Sequence, residues 1–202
     1  MAALIEAARD PIYPAEIALV ISNKGEAGGL AVAHAAGVET VVIDHRQFGN
    51  RVAFEARLHQ TLLDHKIDLL ANAGFMRMLT GGFVDRWRDR HLNIHPSLLP
   101  SFPGLDTHRH ALEAGVQLTG CTVHFIRLEM DAGPIVAQAA VPVLSSDTEA
   151  TLAARVLAAE HALYPHALAL VASGAAAVRD ERVVFTRDAR PPSALIWPPL
   201  AV

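Results

Sequence analysis

Short apolar runs separated by helical stretches constrain this chain more than any other feature. Ile17-Ala-Leu-Val-Ile-Ser22, Thr40-Val-Val-Ile-Asp44 and Ile67-Asp-Leu-Leu-Ala-Asn-Ala73 are three such runs, and the segment from His91 through His95 is a fourth. Near-continuous apolar runs of this length belong to strands buried on both faces, the habit of parallel sheets. Between them the period turns helical. Gly29 to Ala36 is closed by Gly37 as a C-terminal cap, and Arg51 to His65 carries Ala53, Phe54, Leu58, Thr61 and Leu62 on one face. This alternation predicts a right-handed βαβ series. The fold class that follows is α/β, an open, mostly parallel, Rossmann-like sheet with helices on both faces.

The flanking segments fit around that series. Met1 to Arg9 reads as part of a helix ended by Pro11 and Pro14, and Phe75 to Leu79 as a loop or helical turn. After His108 the pattern changes. A helix through Ala114 stops at Gly115, then Cys121–Ile126 and Ile135–Val141 flank the loop Glu129-Met-Asp-Ala-Gly-Pro134. Two strands joined in this way predict an antiparallel or mixed extension of the sheet. Asp147 is the expected N-cap of a long helix reaching about Ala172, kinked at Tyr164-Pro165. A weak hairpin from Ala175 to Thr186 precedes a tail with Pro191, Pro192, Pro198 and Pro199, expected on the surface or disordered. With 202 residues and neither repeat nor linker, the chain reads as one domain, 1–202.

Composition excludes several classes. A content of 51% hydrophobic and 19% charged residues suits a packed enzyme rather than a disordered chain. A net charge of −4 without a basic run argues against nucleic-acid binding. The lone Cys121 excludes an internal disulfide and fits a reducing cytoplasm. The N-terminus lacks a secretory pattern and no window is apolar enough to span a membrane, so a soluble, cytoplasmic protein is expected.

The candidate reaction centre is Asn93-Ile-His95-Pro96. In a strand, alternate residues share a face, so Asn93 and His95 point the same way. Pro96 ends the strand there, and ligands of an open parallel sheet bind at the C-terminal ends of its strands. The bland alternative is a turn asparagine and a core histidine. Pro96, Pro100 and the Ser-Phe-Pro-Gly corner at 101–104 weigh against it, because a rigid loop preorganises a donor pair. Asp131 lies in a loop whose Gly133 and Pro134 allow close backbone approach; on its own it could be a solvated turn residue. A carboxylate beside His95 would favour the imidazolium and make the ring a charged donor near neutral pH. Phe75, Met76, Arg77, Met78 and Leu79 read either as core with a surface arginine or as a slot for a flat heteroaromatic ligand. His108-Arg109-His110 lacks a third ligand, so no metal is expected. Glu160-His161 falls mid-helix, where spacing leaves its role undecided. There is no G-x-S-x-G, no P-loop and no G-x-G-x-x-G; Gly25 to Gly29 has the wrong spacing for a dinucleotide loop.

Several stretches, in order along the chain, resemble the phosphoribosylglycinamide formyltransferase family. They are Ser22-Asn-Lys24, Gly74-Phe-Met-Arg77, Asn93-Ile-His-Pro-Ser-Leu-Leu-Pro100, Phe102-Pro-Gly-Leu105 with His108, Asp131-x-Gly-Pro134, and Glu160-His-Ala-x-Tyr-Pro165. The resemblance implies the formyltransferase fold and formyl transfer from 10-formyltetrahydrofolate, as co-substrate, to the amine of phosphoribosylglycinamide in de novo purine (IMP) biosynthesis. It implies Asn93, His95 and Asp131 as the catalytic residues, with His95 and Asn93 binding the oxyanion and Asp131 holding His95 charged and relaying the amine proton. Arg51, Met76, Arg77, Met78, Leu79 and Asn93 would line the folate site, and the loop carrying Leu128, Glu129 and Met130 would hold the pterin. Met76, Glu160 and His124 would lie by the glycinamide substrate. Small molecules are the expected partners, without nucleic acid or membrane, and a homodimer is compatible with the reading.

One departure is a family opening strand and Gly-Ser-Asn phosphate loop that would precede Met1. Another is Asn72, where the family usually has an apolar residue. Two rival functions share Asn-x-His and a distant Asp: methionyl-tRNA formyltransferase and formyltetrahydrofolate hydrolase. Each carries a further domain for which 202 residues leave no room. A third rival is a folate-binding protein of this fold without catalysis.

Overall fold

The computed structural model describes residues 1–186. The prolines of the expected tail lie outside them. Fourteen elements follow in order: α1 (Ala2–Ala7), β1 (Leu19–Ser22), α2 (Gly28–Ala35), β2 (Glu39–Val42), α3 (Arg51–Asp64), β3 (Leu70–Ala71), α4 (Gly81–Arg86), β4 (His91–His95), α5 (Thr107–Glu113), β5 (Leu118–Phe125), β6 (Ile135–Pro142), α6 (Glu149–Ala172), β7 (Ala176–Arg179) and β8 (Arg182–Phe185). Strand β1 pairs with β2 in parallel and β3 with β4 in parallel. Strands β5 and β6 then continue from β4 in antiparallel order, and β7–β8 is a separate hairpin. Among the described residues no helix is long and apolar enough to cross a membrane.

Three clusters make the core. Leu4 of α1 and Tyr164, Ala167 and Leu168 of α6 pack on Leu92, Val123, Phe125 and Val136 of the sheet. Farther along α6, Leu152 and Val156 meet Cys121, Val141 and Ala111. Leu62, Phe83 and Trp87 bring α3 and α4 together. Leu92 and Ile94 of β4 therefore belong to the layer under α6, while His91, Asn93 and His95 alternate onto the opposite side. The parallel pairs β1–β2 and β3–β4 are separate ladders. A cleft of about 510 Å³ lies between them, lined by Leu4, Ile17, Leu19, Leu69, Ala71 and Leu168 among others.

Local differences from the expected elements have identifiable causes. Strands β1 and β3 are shorter than their apolar runs, because pairing is confined to Leu19–Ser22 and Leu70–Ala71. In α3, Ala53 is exposed and Glu55 is buried at 4% exposure, since Glu55 has partners in Thr80 that offset its desolvation. Helix α4 falls where no helix was expected; it starts on Gly81-Gly82, poor helix formers, and is held through Phe83 and Val84. Thr148 rather than Asp147 is the N-cap of α6, in a reciprocal pair with Thr151. Asp147 is occupied instead by the Leu144 amide and Arg155. The helix continues through Pro165.

His91 shows how polarity is handled inside. Its Nε2–H donates to Asn72 Oδ1 at 2.9 Å, its edge meets Phe83, and its Nδ1 is buried without a partner. Burial pushes its pKa down from 6.5 to about 4. The unfolded chain therefore takes up this proton first as pH falls, so stability is retained above pH 6.5 and declines toward pH 4. From pH 7 to 5 this one group should remove about 2 kcal/mol of unfolding free energy. Urea titrations at the two pH values should show that loss, and His91→Gln should shrink it; an unchanged pH slope in the variant would remove His91 as the cause.

Candidate active site

The β4–β5 register sets the centre of the site. Asn93 stands opposite His124 and His95 opposite Thr122 across the antiparallel ladder. Asn93 Nδ2 donates to His124 Nε2 at 3.3 Å, and His124 Nδ1–H donates to the Phe125 carbonyl at 3.0 Å. These two bonds assign the neutral Nδ1–H tautomer to His124, and burial accordingly pushes its pKa down. The second amide hydrogen of Asn93 is not used by this pair.

His95 is buried, with its side chain 7% exposed. Its Nε2–H donates to the Phe102 carbonyl at 3.0 Å, and its Nδ1 lies 3.4 Å from Asp131 Oδ2. Acceptors thus face both ring nitrogens, which a doubly protonated ring satisfies completely. Asp131 comes from the β5–β6 loop in a left-handed conformation, φ 54°, uncommon outside glycine. Its Oδ2 also accepts the Gly104 amide at 2.8 Å, and Oδ1 lies 3.8 Å from His124 Nε2. One carboxylate therefore joins β4, the 101–104 corner and the β5–β6 loop.

Behind this group a polar network centred on the buried Thr122 and Ser97, with the exposed Gln138 at its edge, fixes the loop after Pro96. Thr122 Oγ1 donates to the Ser97 carbonyl and accepts from the Leu99 amide and Gln138 Nε2. Gln138 Nε2 also donates to the Leu99 carbonyl, and Ser97 Oγ to that of Ser101. The Leu99–Pro100 peptide is cis. Sequence reasoning missed Thr122 and Gln138; the one signal was Gln138, the single polar residue of β6.

Around the polar centre stands an apolar rim. From Phe75 to Leu79 exposure alternates: Met76 and Met78 face outward, at 82% and 49%, and Phe75, Arg77 and Leu79 turn inward. The segment is a loop, not a helical turn. Arg77 lies over the Phe54 ring at 6.0 Å, with its Nε buried and unpartnered. The Thr80 amide and hydroxyl both donate to the buried Glu55 carboxylate, which pins the end of this segment to α3. Glu55 is a third residue that sequence reasoning missed. Leu128 and Met130 are exposed on the facing loop, Leu128 next to Gly81 and Met130 next to Gly104. Glu129 is exposed in the same loop. Arg51 is exposed in the first turn of α3, one turn before Phe54 and Glu55.

Not every expected residue joins this group. Glu160 lies on α6, half-buried, near the Met1 amino group and Cys121, and burial pushes its carboxyl pKa up. Burial also pushes the Cys121 thiol up to about 12, leaving it inert. Arg109 is engaged by Asp106 and Glu113. Among the described residues no three His, Cys, Asp or Glu side chains converge in a metal-holding group.

Comparisons place this geometry among known proteins. Residues 1–168 match the family model described as formyl transferase. The trifunctional purine biosynthetic protein adenosine-3 of Gallus gallus is 52% identical over 176 residues, 87% of this chain but 18% of that protein. The chain thus spans less than a fifth of the length of that relative. Phosphoribosylglycinamide formyltransferase of Escherichia coli K12 is 42% identical over 172 residues, 85% of this chain and 81% of the relative. Among solved structures, glycinamide ribonucleotide transformylase 1 from Symbiobacterium toebii superposes with a TM-score of 0.88 at 44% identity, covering 91% of this chain and 87% of that one. A formyltetrahydrofolate deformylase from Pseudomonas syringae gives 0.80 at 26% identity, covering 91% of this chain and 61% of the other.

The Thr122 network yields a stability test. Thr122→Val leaves the Leu99 amide and Ser97 carbonyl buried without this partner, and should cost about 2–3 kcal/mol in urea unfolding. Thr122→Ser keeps the hydroxyl and should lose about 1 kcal/mol for the missing methyl. Equal losses would show that packing, not the hydroxyl, holds the loop.

Proposed function

We propose that this chain, which belongs to the formyl transferase family, moves the formyl group of 10-formyltetrahydrofolate onto the amine of 5'-phosphoribosylglycinamide, in purine biosynthesis. The observation that carries the reading is the single group formed by Asn93, His95, His124 and Asp131 within an apolar rim.

The amine attacks the formyl carbon and the carbonyl electron pair moves onto oxygen. Asn93, with one amide hydrogen given to His124, offers the other to that oxyanion. His95 is the second, charged donor. Its Nε2–H would leave the Phe102 carbonyl for a more negative acceptor, which favours the exchange as charge develops. Asp131 holds the ring through Nδ1 and takes the amine proton through water, and a proton passes to N10 as its bond to the formyl carbon breaks. Arg51, Arg77, Met78, Leu79 and the Leu128–Met130 loop would bind the folate, with backbone groups of the loop on the pterin. Met76, His124 and Glu160 would contact the glycinamide substrate. Held in line by these groups, the two substrates react with much of the barrier already removed by positioning.

The second reading, hydrolysis of the same formyl folate, uses the same group with water as nucleophile. Identity of 42% and 44% to glycinamide enzymes, against 26% to the deformylase, favours the amine.

Deformylation of 10-formyltetrahydrofolate should depend on added phosphoribosylglycinamide, and His95→Ala and Asp131→Ala should each lower kcat by about 10³-fold or more. Turnover independent of the amine would favour the hydrolase, and near-normal turnover in either variant would remove that residue from the mechanism.

A further inference from the structure

We propose that Arg127, held between Asp89 and Glu181, is a positioning residue that sets the loop carrying Asp131, so that the C-terminal hairpin is part of the active-site machinery. The proposal rests on the assignment of Asp131 and its loop to formyl transfer.

The loop between β5 and β6 has little holding it from within. It leaves Phe125 and returns at Pro134, where the Phe125 amide donates to the Pro134 carbonyl. Beyond that neck, Leu128 and Met130 are exposed, and Asp131 adopts a left-handed backbone. Its far end is tied by Asp131 to Gly104. Its near end is tied by Arg127.

Arg127 is nearly buried, with its side chain 10% exposed. Its Nη2 donates to Asp89 Oδ1 and its Nε to Glu181 Oε2, each at 2.6 Å, while Nη1 donates to the Ile126 carbonyl at 3.0 Å. Its stem lies over the neck: a Cβ on Gly133 would meet Arg127 Cγ at 3.3 Å and the Phe125 carbonyl oxygen at 1.7 Å. The guanidinium therefore fixes the outgoing arm of the loop to two separate elements, and its stem lies beside the returning arm at Gly133. Asp89 lies just before β4, which carries Asn93 and His95. Glu181 forms the tip of the β7–β8 hairpin, where Asp180 and Glu181 both have left-handed φ, and it also accepts from Arg88. The hairpin tip and residues 132–135 line a shared pocket. Exposed ion pairs taken singly contribute little, but a network around one nearly buried guanidinium has its geometry fixed in advance. Glu181 lies beyond residues 1–168, the part that matches the family model.

The test uses Arg127→Gln, Arg127→Lys, Glu181→Gln and the Arg127→Gln/Glu181→Gln double variant, all in the full chain. Two measurements are made: steady-state kinetics with both substrates, and the ¹⁵N-resolved Gly104 amide resonance. That amide donates to Asp131, so it reports the carboxylate's position without any need for turnover. Arg127→Gln should lower kcat/KM for 10-formyltetrahydrofolate about tenfold with KM for phosphoribosylglycinamide unchanged, and should shift the Gly104 amide and speed its exchange. Glu181→Gln, at an exposed position where folding is not in question, should move both readouts the same way by about threefold. The double variant should be no worse than Arg127→Gln, and Arg127→Lys should recover part of the loss. The proposal is overturned if the Gly104 amide is unchanged in both single variants, or if the two substrates' KM values rise together, or if the two substitutions simply add. A wild-type chain without formyl transfer would sink the functional reading alone, because the Gly104 resonance would still decide the clamp.

Discussion

The position of one carboxylate oxygen governs the site. Asp131 Oδ2 accepts the Gly104 amide and faces His95 Nδ1 from a loop that must adopt a left-handed turn to bring it there. Its two partners sit on backbone fixed for other reasons: His95 by the β4–β5 ladder, Gly104 by a corner that begins after the network around the buried Thr122. A carboxylate that is one-tenth exposed has lost most of its hydration, and these polar partners replace it. The same contacts that make its burial tolerable also aim it at the imidazole. Stability of the loop and orientation of the charge are here one set of interactions.

The two histidines on either side of that carboxylate show how environment separates identical side chains. His124 gives Nδ1–H to a carbonyl, receives Asn93 on Nε2 and is shifted toward the neutral form by burial. His95 has an acceptor on each nitrogen. A neutral ring orienting an amide and a ring placed to carry charge are thus built from adjacent strands. The distinction is set by which atoms face each nitrogen and not by residue type.

How much of this could be read from the residues follows from the distance over which each signal acts. Asn93 and His95 were legible because strand alternation is a local rule and Pro96 marks where the strand stops. The antiparallel turn of β5 and β6 was legible for the same reason. The meeting of Asp131 with His95 was not: it depends on a strand pairing that joins Asn93 to His124, 31 residues apart in sequence, and on a backbone conformation that composition does not announce. Only the family resemblance supplied it. Ala53 is exposed against its expected side and Glu55 is buried, because the helical period sorts residues by polarity, and a buried carboxylate becomes acceptable only through Thr80, 25 residues away. Asp147 lost the N-cap to Thr148 because Arg155, two turns along, already occupied it. Each miss is a case in which a distant partner reversed a local preference.

Those distant partners also explain why an apolar rim can stand exposed around a polar centre. Met76, Met78, Leu128 and Met130 lie on loops, and exposed apolar side chains would gain from collapsing onto one another or onto the core. Collapse is opposed by polar anchors at the base of each loop: Thr80 on Glu55 for the Met76–Met78 segment, Gly104 on Asp131 and Arg127 on its two carboxylates for the Leu128–Met130 segment. Moving either loop inward would break hydrogen bonds of the largely buried Glu55, Asp131 and Arg127, leaving them unsatisfied at a cost of about 1–3 kcal/mol each. Burying one methionine returns about the same amount. With the opposing effects this close, the rim stays open until something with its own apolar surface fills it, and the polar centre stays reachable behind it.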